Sequence, residues 1–237
     1  MKETEVEYVG HDLESMDQAV NYHAWILDLF RPYLGRHIVE VGAGTGSFSR
    51  MLYGCEPERL DLVEPSAMFD KLSDSMGSEP NVRLFHGTFP TVAGDVIGEP
   101  KPDTFVYINV LEHIEDDVAE LKLVHRSLSS GGRICIFVPA VPFLLSDFDR
   151  QIGHFRRYSR NELITKCEAA GFRINFVRGF DFPGILPWLV KYRILRSLTI
   201  GNGAVKLYDR ALVPLIRPFE NLLKPPIGKN LVLVAEA

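Results

Sequence analysis

Cysteine is scarce in this chain of 237 residues, which contains three: Cys55, Cys135 and Cys167. Their number is odd and no two of them form a Cys-x-x-Cys pair. This argues against a disulfide framework and against a cysteine-based zinc site. A reducing compartment such as the cytoplasm fits the composition best, so we expect a cytoplasmic protein.

The chain also lacks an excess of basic charge and long apolar runs. Its 26 Lys and Arg are outnumbered by 31 Asp and Glu, for a net charge of -5, which argues against a nucleic-acid partner held on a broad basic face. Residues 1–10 contain no apolar stretch. No run reaches the ~18 apolar residues that span a bilayer. We therefore expect no signal peptide and no integral membrane segment.

Apolar segments of strand length alternate with segments of helical spacing along most of the chain. Strands are predicted at 37–41, 60–64, 82–85, 104–108, 133–138, 173–177 and 231–235. A leading helix is predicted over 13–34, and another begins at Ser159, where Ser159-x-x-Glu162 has the pattern of a capping box and Gly171 stands at the expected end. Alternating strands and helices predict a parallel sheet.

Residues 179–229 form an insertion before the last strand, rich in proline and bulky apolar side chains. Lys191, Arg193 and Arg196 point in different directions around a helix, which disfavours a helix lying on a membrane. We expect this segment to pack on the sheet or against a second subunit, as an acceptor-binding lid or in a homodimer.

A glycine turn follows the first strand, with Gly42, Gly44 and Gly46 in a Gly-x-Gly-x-Gly pattern before a helix. Such a turn lets the backbone approach a ligand closely, and the helix N-terminus favours an anionic group. Glu64 ends the second strand, where an acidic side chain can accept hydrogen bonds from both ribose hydroxyls. The pattern predicts a nucleoside-bearing ligand, and the early third glycine disfavours the dinucleotide NAD.

Four motifs in order carry a resemblance to the class I S-adenosylmethionine-dependent methyltransferases. They are 39–46 (VEVGAGTG), 62–66 (LVEPS), 109–114 (NVLEHI) and 128–132 (LSSGG). The resemblance covers about residues 38–177. It implies an α/β, Rossmann-like, doubly wound and mostly parallel seven-stranded sheet whose last strand is antiparallel, with the insertion before that strand.

The resemblance also implies S-adenosylmethionine as cofactor and a set of residues that bind it. Glu40 and the glycine turn would hold the methionine end, Glu64 the ribose and the Thr88–Phe89 region the adenine, while the Asn109 carbonyl would accept from the ammonium. The implied cofactor-binding residues are Glu40, Gly42, Ala43, Gly44, Gly46, Glu64, Pro65, Thr88, Phe89, Asn109 and Val110.

Two further runs are candidates for acceptor chemistry. Glu112 and His113 follow the fourth strand, at the edge where open parallel sheets bind ligands. In the ubiquinone-pathway and small-RNA 3'-end methyltransferases a similar Glu-x-x-Glu-His run binds a divalent metal. Here Asn109 replaces the first carboxylate, so no metal is expected. The alternative is that Glu112 caps a helix and His113 packs at its start.

The second run, 149–158, combines a histidine, arginines and a tyrosine. It resembles a run in bacterial methyltransferases of surface-glycan and secondary-metabolite pathways, which implies an oxygen acceptor. His154 is the first choice for a general base, with His113 and Tyr158 as further catalytic candidates. Arg156 and Arg157 would grip the acceptor. The alternative is that Asp149 pairs with an arginine and His154 caps a turn.

The predicted organisation is a single methyltransferase domain. Residues 1–35 would form a helical lid region in which Tyr22 and Trp25 contact the substrate, 36–178 the donor-binding core, 179–229 the insertion and 230–237 the last strand. The predicted function is a biosynthetic methyl transfer to a hydroxyl or amine of a small metabolite or glycan. Two alternatives stay open: a catalytically silent S-adenosylmethionine-binding regulator, and an NAD-dependent oxidoreductase.

Overall fold

A seven-stranded sheet organises the chain in the computed structural model, which describes residues 19–199 and 202–237. The strand order is β3-β2-β1-β4-β5-β7-β6, and β7 runs antiparallel to both of its neighbours. This confirms the predicted fold class. The strands are β1 (His37–Val41), β2 (Arg59–Glu64), β3 (Val82–His86), β4 (Thr104–Ile108), β5 (Arg133–Pro139), β6 (Arg173–Phe180) and β7 (Asn230–Glu236).

Ten α-helices flank or follow these strands in the described ranges: α1 (Val20–Phe30), α2 (Ser47–Tyr53), α3 (Phe69–Met76), α4 (Phe89–Val96), α5 (Asp117–Ser127), α6 (Asp147–Gln151), α7 (Arg160–Ala169), α8 (Ile185–Trp188), α9 (Asn202–Leu207) and α10 (Val213–Leu223). Short 3-10 helices lie at Arg31–Tyr33, Leu111–His113 and Pro142–Leu144. π-Helical turns at Leu189–Ile194 and Tyr208–Leu212 continue α8 and α9.

Buried apolar side chains cover both faces of the sheet. Val39 and Phe105 belong to the cluster on one face, with residues of α4, α5 and α7. Ile38 and Val106 belong to the opposite cluster, with Trp25 and other residues of α1. Each strand therefore alternates between two apolar layers, which explains why the central strands read as continuous apolar runs.

The predicted helix ends are corrected at two places. The leading helix occupies Val20–Phe30 and ends in a 3-10 turn, while the predicted residues 13–18 lie outside the described ranges. At α7, the Ser159 hydroxyl accepts a hydrogen bond from the Glu162 amide (3.2 Å), but the Glu162 carboxylate pairs with Lys166 at 3.3 Å. Half of the predicted capping box is thus formed, because a nearby ammonium competes for the carboxylate.

The insertion is tied to the rest of the chain by two buried carboxylates. Asp209 accepts a hydrogen bond from the Tyr22 amide of α1 at 2.8 Å. Glu220 of α10 accepts from the amides of Asp181 (3.0 Å) and Phe182 (2.6 Å), which follow β6. No helix in the described ranges is long and apolar enough to cross a membrane.

Candidate functional site

The glycine turn lies at the carboxyl end of β1, between the ends of β2 and β4. Gly42 and Gly44 have positive φ values, +75° and +57°, which other residues rarely adopt. A Cβ at Gly42 would lie 2.3 Å from the Val110 side chain, so this glycine lets the β4 loop pack on the turn. A Cβ at Gly44 would meet no described atom within 4 Å. The turn therefore leaves open space above Gly44.

Glu64 reaches this turn from the end of β2. Its carboxylate accepts hydrogen bonds from the Gly44 amide and the Ser66 amide, both at 2.8 Å. The side chain is buried. Oε1 also accepts from the Ser66 hydroxyl at 2.5 Å, whereas Oε2 accepts only from Gly44 among the described residues and keeps a second lone pair for a ligand hydroxyl. The geometry thus holds an acceptor group at the edge of the open space.

Glu40 lies in β1, two residues before the first glycine of the turn. Its carboxyl is buried in β1 and accepts a hydrogen bond from the Ser49 hydroxyl of α2 at 2.5 Å. Burial raises the pKa of Glu40 to about 8, so the carboxyl is protonated at neutral pH. The structure therefore places Glu40 beneath the turn, where it fixes α2 against β1.

The predicted adenine region, Thr88 and Phe89, lies at the start of α4 and stays a prediction. Thr88 is exposed before α4, but Phe89 is buried against Phe105 with ring centroids 5.0 Å apart, so its ring faces the core. An aromatic pair that the sequence analysis missed lies nearby: the rings of Phe69 and His86 stack 4.6 Å apart. His86 is the register partner of Glu64 at the end of β3. No sequence signal pairs residues from two separate elements in this way.

The chain leaves β4 through a residue with unusual backbone geometry. Asn109 has a positive φ of +52°, which asparagine tolerates better than most residues. Its backbone N–H donates to the Phe137 carbonyl of β5 at 2.8 Å. This bend brings Val110 onto Gly42 and directs the following 3-10 turn, Leu111–His113, over the same edge of the sheet.

Glu112 is the most unusual side chain at this edge. It is 0% exposed, and neither carboxylate oxygen has a hydrogen-bond partner among the described residues. Burial raises the pKa of Glu112 to about 7. A buried polar group without a partner is costly, and such groups mark functional sites.

His154 lies beside Glu112 and is held by Asp149. Its Nδ1 is 3.1 Å from the Asp149 carboxylate, and its Nε2 is 3.8 Å from Glu112 Oε1. Asp149 also accepts from Arg157 at 2.7 Å, as the alternative for this loop predicted. Although burial opposes it, hydrogen bonds from His154 and Arg157 hold the pKa of Asp149 well below its usual range. The imidazole is thereby fixed with Nε2 directed toward Glu112.

Tyr158, predicted as a catalytic candidate, and Arg157, predicted to grip the acceptor, are corrected to buried structural residues. The Tyr158 hydroxyl donates to Asp117 at 2.7 Å and to the Leu111 carbonyl at 3.1 Å, and burial raises its pKa. Arg157 is buried on Asp149. Arg156 is half-buried and donates to the carbonyls of Ile114 and Glu115. These side chains brace the loop that carries His154.

The lid predicted from Tyr22 and Trp25 is corrected as well. Trp25 is 0% exposed and packs on Phe180, with ring centroids 4.0 Å apart. The Tyr22 hydroxyl is buried beside Asp181 (3.2 Å) and Asn230 (3.1 Å). Aromatic residues at this helical spacing therefore serve the core, which is the more common use of such a pattern.

His113 completes a cluster of possible metal ligands. Glu112, His113 and His154 each offer one ligand atom, and these atoms lie within 4.8 Å of one another. Burial and the neighbouring His154 lower the pKa of His113 to about 3, so its ring is neutral at physiological pH. One carboxylate and two imidazoles form a donor set that a transition metal or zinc could use. The expectation of no metal stays a prediction.

Comparison with known proteins identifies the family. A model described as a methyltransferase domain matches residues 10–175, more than half of the chain. The chain belongs to this methyltransferase family. It is an S-adenosylmethionine-dependent methyltransferase of class I, so the NAD-dependent alternative is set aside. No curated protein matches the sequence.

Solved structures share the methyltransferase's fold at low identity. The methyltransferase bound to the Haloferax volcanii Trm112 activator has a TM-score of 0.64 and 15% identity, over 97% of this chain and 94% of that one. An S-adenosylmethionine-dependent methyltransferase from Mesorhizobium loti has a TM-score of 0.60 and 14% identity, over 89% of this chain and 96% of that one. The cyclopropane synthase MmaA2 from Mycobacterium tuberculosis has a TM-score of 0.58 and 13% identity, over 89% of this chain and 82% of that one.

The edge of the sheet fits the methyltransferase's cofactor. Open space lies above Gly44, the first turn of α2 presents backbone amides and the Glu64 carboxylate stands at its side. A carboxylate group suits the helix N-terminus, and ribose hydroxyls suit Glu64. S-adenosylmethionine supplies an electrophilic methyl group on a sulfonium. Once the methyl group is transferred, the rest of the cofactor is a neutral thioether.

Proposed function

We propose that this methyltransferase transfers a methyl group to a hydroxyl, or an amine, of a small metabolite or glycan, with His154 as general base. One observation supports the proposal above the others: an imidazole whose Nδ1 is held by Asp149 keeps its Nε2 beside Glu112, in the turn that follows β4. An acceptor that must lose a proton needs such a base. The methyltransferase would then act on an acceptor that is not already an anion.

The residues proposed to bind the cofactor are those of the glycine turn, Glu64 and the β4 loop. The amides after Gly44 would bind the methionine carboxylate, and the Asn109 carbonyl would accept from the ammonium. Glu64 would accept from the ribose hydroxyls. The Phe69 and His86 pair stands beside Thr88, where we place the adenine.

The base would act through Nε2. The acceptor hydroxyl would donate to Nε2, and the imidazole would take up its proton as the oxygen receives the methyl group that the sulfonium supplies. The thioether leaves without its own proton, so no general acid is needed. Asp149, bonded to Nδ1, holds the ring in the tautomer that leaves Nε2 free to accept.

Glu112 would stabilise the imidazolium that this proton transfer creates. Its Oε1 is 3.8 Å from Nε2, a distance that leaves room for the acceptor oxygen to bridge the two groups. A positive charge beside a buried carboxylate lowers its pKa. Glu112 would thus be negatively charged when the imidazole is positively charged, and the two charges would balance during turnover.

An exposed aromatic ring next to the base in the chain favours a ring-shaped acceptor such as a sugar. Phe155 follows His154 directly, its side chain is exposed, and its amide donates to the Glu112 carbonyl at 2.9 Å. Phe143 is also exposed, in the loop after β5. A flat apolar face flanked by polar groups is the surface on which sugar rings stack.

The test is methyl transfer from labelled S-adenosylmethionine to a panel of sugars, phenols and amines, detected by mass. In His154→Ala we expect kcat to fall about 100-fold or more, with donor affinity unchanged. His125→Ala, a histidine of α5 that packs on Phe172, is the matched control and should keep its kcat. Equal loss of kcat and donor affinity in His154→Ala would contradict the assignment of a base.

A further inference from the structure

Exposed apolar side chains are concentrated in the insertion. Of the large apolar side chains that are exposed in the described ranges, all but Val20, Phe143 and Phe155 lie in residues 182–227. On α10, Leu215, Phe219 and Leu222 follow each other at intervals of four and three residues and are 63%, 67% and 80% exposed. This spacing places them on one face of the helix.

A shallow apolar groove runs along the same surface. It has a volume of about 350 Å³ and lies between Phe182 and the α10 residues Leu215 and Phe219. We call the exposed surface of residues 182–199 and 202–227 the insertion face. Soluble proteins rarely expose apolar patches of this kind unless the patch binds something.

The exposed charges of the insertion face have one sign. Its exposed basic residues are Arg193, Arg196, Lys206, Arg210 and Lys224. The acidic residues of 182–227 are Asp209 and Glu220, and both are buried. The rest of the chain is acidic, since the whole carries -5. The insertion face is therefore a local basic and apolar surface on an acidic protein.

The two acidic residues explain how this surface is oriented. Asp209 bonds to α1 and Glu220 to the amides after β6. Asn221 of α10 also accepts from the Trp25 indole at 3.1 Å. The carboxylates of Asp209 and Glu220 thus face the core, while Leu215, Phe219, Leu222 and Leu223 of α10 are exposed. The exposed apolar face is consequently the outer side of a firmly attached element.

Charge complementarity decides between the possible occupants. In a symmetric homodimer the insertion face would meet itself, and like charges would oppose each other without an acidic partner. An anionic phospholipid surface offers both an apolar interior and negative headgroups. No helix of the insertion, within the described ranges, is long and apolar enough to cross a membrane. The contact that fits this surface is therefore with the face of a bilayer.

We propose that residues 182–199 and 202–227 form a peripheral membrane-binding face, which inserts Leu215, Phe219 and Leu222 between anionic phospholipids and places the basic residues at their headgroups. This reverses the expectation drawn from Lys191, Arg193 and Arg196 alone. The exposed apolar face is on α10, and the basic residues lie mainly in the segments before it.

The insertion face is coupled to the loop of His154. The Trp188 ring, at the end of α8, lies 5.9 Å from the Phe148 ring of α6. Arg157, which holds Asp149, lies over the same indole at 4.4 Å. The insertion therefore packs directly against the loop that positions His154.

The test is flotation of the full-length protein with vesicles of phosphatidylcholine alone or mixed with phosphatidylglycerol. We expect binding to the mixed vesicles that weakens as salt is added. Leu222→Glu/Leu223→Glu and Arg210→Glu/Lys224→Glu should each reduce binding about tenfold or more. Lys122→Glu, at an exposed position of α5, is the matched charge control and should bind like the wild type. Affinity for S-adenosylhomocysteine should be unchanged in all variants, which shows that they fold and separates this test from that of the catalytic base.

Two results would overturn the proposal. One is a wild-type protein that does not float with phosphatidylglycerol vesicles. The other is a dimer by sedimentation equilibrium that Leu222→Glu/Leu223→Glu converts to a monomer, with no vesicle binding in either form. That result would assign the insertion face to a second copy of the chain.

Discussion

The buried carboxyl of Glu112 predicts a specific dependence of stability on pH. In the unfolded chain this glutamate loses its proton near its ordinary pKa of 4.5, whereas in the folded protein burial raises the pKa to about 7. Between these values the folded state holds a proton that the unfolded state has released. The free energy of unfolding therefore falls by about 1.4 kcal/mol per pH unit as pH rises through this window, from this group alone.

Glu112→Gln should remove that loss, because glutamine resembles the protonated acid and does not titrate. A rise in pKa from 4.5 to about 7 corresponds to about 3 kcal/mol. We expect the variant and the wild type to be equally stable near the lower value. Above about pH 7 the variant should be more stable by up to about 3 kcal/mol. Urea unfolding across this range, without cofactor, measures both proteins.

Glu115→Gln is the control, since Glu115 is an exposed glutamate three residues further along the chain. Its stability relative to the wild type should not change with pH. A constant difference between Glu112→Gln and the wild type across the range would refute the reasoning, because it would mean that the folded carboxyl titrates like an exposed one. A Glu112→Gln variant that is less stable at high pH would refute it too, by showing that the charged form is favourably paired.

Three further predictions concern the cofactor and metal. Glu64→Ala should weaken binding of S-adenosylhomocysteine by about 1 to 3 kcal/mol, and calorimetry showing unchanged affinity would contradict the ribose role. Gly44→Val should abolish binding, since the valine would enter the open space above the turn at a φ of +57°, while Gly94→Ala in α4, where a Cβ also meets no described atom within 4 Å, should bind normally. Dialysis against EDTA should leave methyl transfer unchanged, and a loss that zinc or manganese restores would assign Glu112, His113 and His154 to a cation.

The strands and the cofactor turn could be predicted because local sequence determines them. β1 and β4 are continuous apolar runs that cross the sheet buried on both faces, and their bounds match the prediction. The glycine turn depends on backbone conformations that glycine adopts most easily. Glu64 could be placed by its distance from the turn along one βαβ unit.

Burial in three dimensions could not be predicted from the same patterns. The spacing of Trp25 fits a lid as well as a core, and the decision depends on Phe180, more than a hundred residues later. Tyr158 and Arg157 are polar residues in a loop, yet both are buried because Asp117 and Asp149 offer carboxylates to them. The outward face of α10 depends on Glu220 turning inward to the amides after β6.

The most direct test of the central account is native mass spectrometry of the purified methyltransferase with S-adenosylmethionine and NAD in competition, repeated on Glu64→Ala. We expect one S-adenosylmethionine or S-adenosylhomocysteine bound per chain of the wild type, and no bound NAD. In Glu64→Ala we expect clear loss of the bound ligand. Binding of NAD in preference, or no binding of either ligand to the folded wild type, would contradict it.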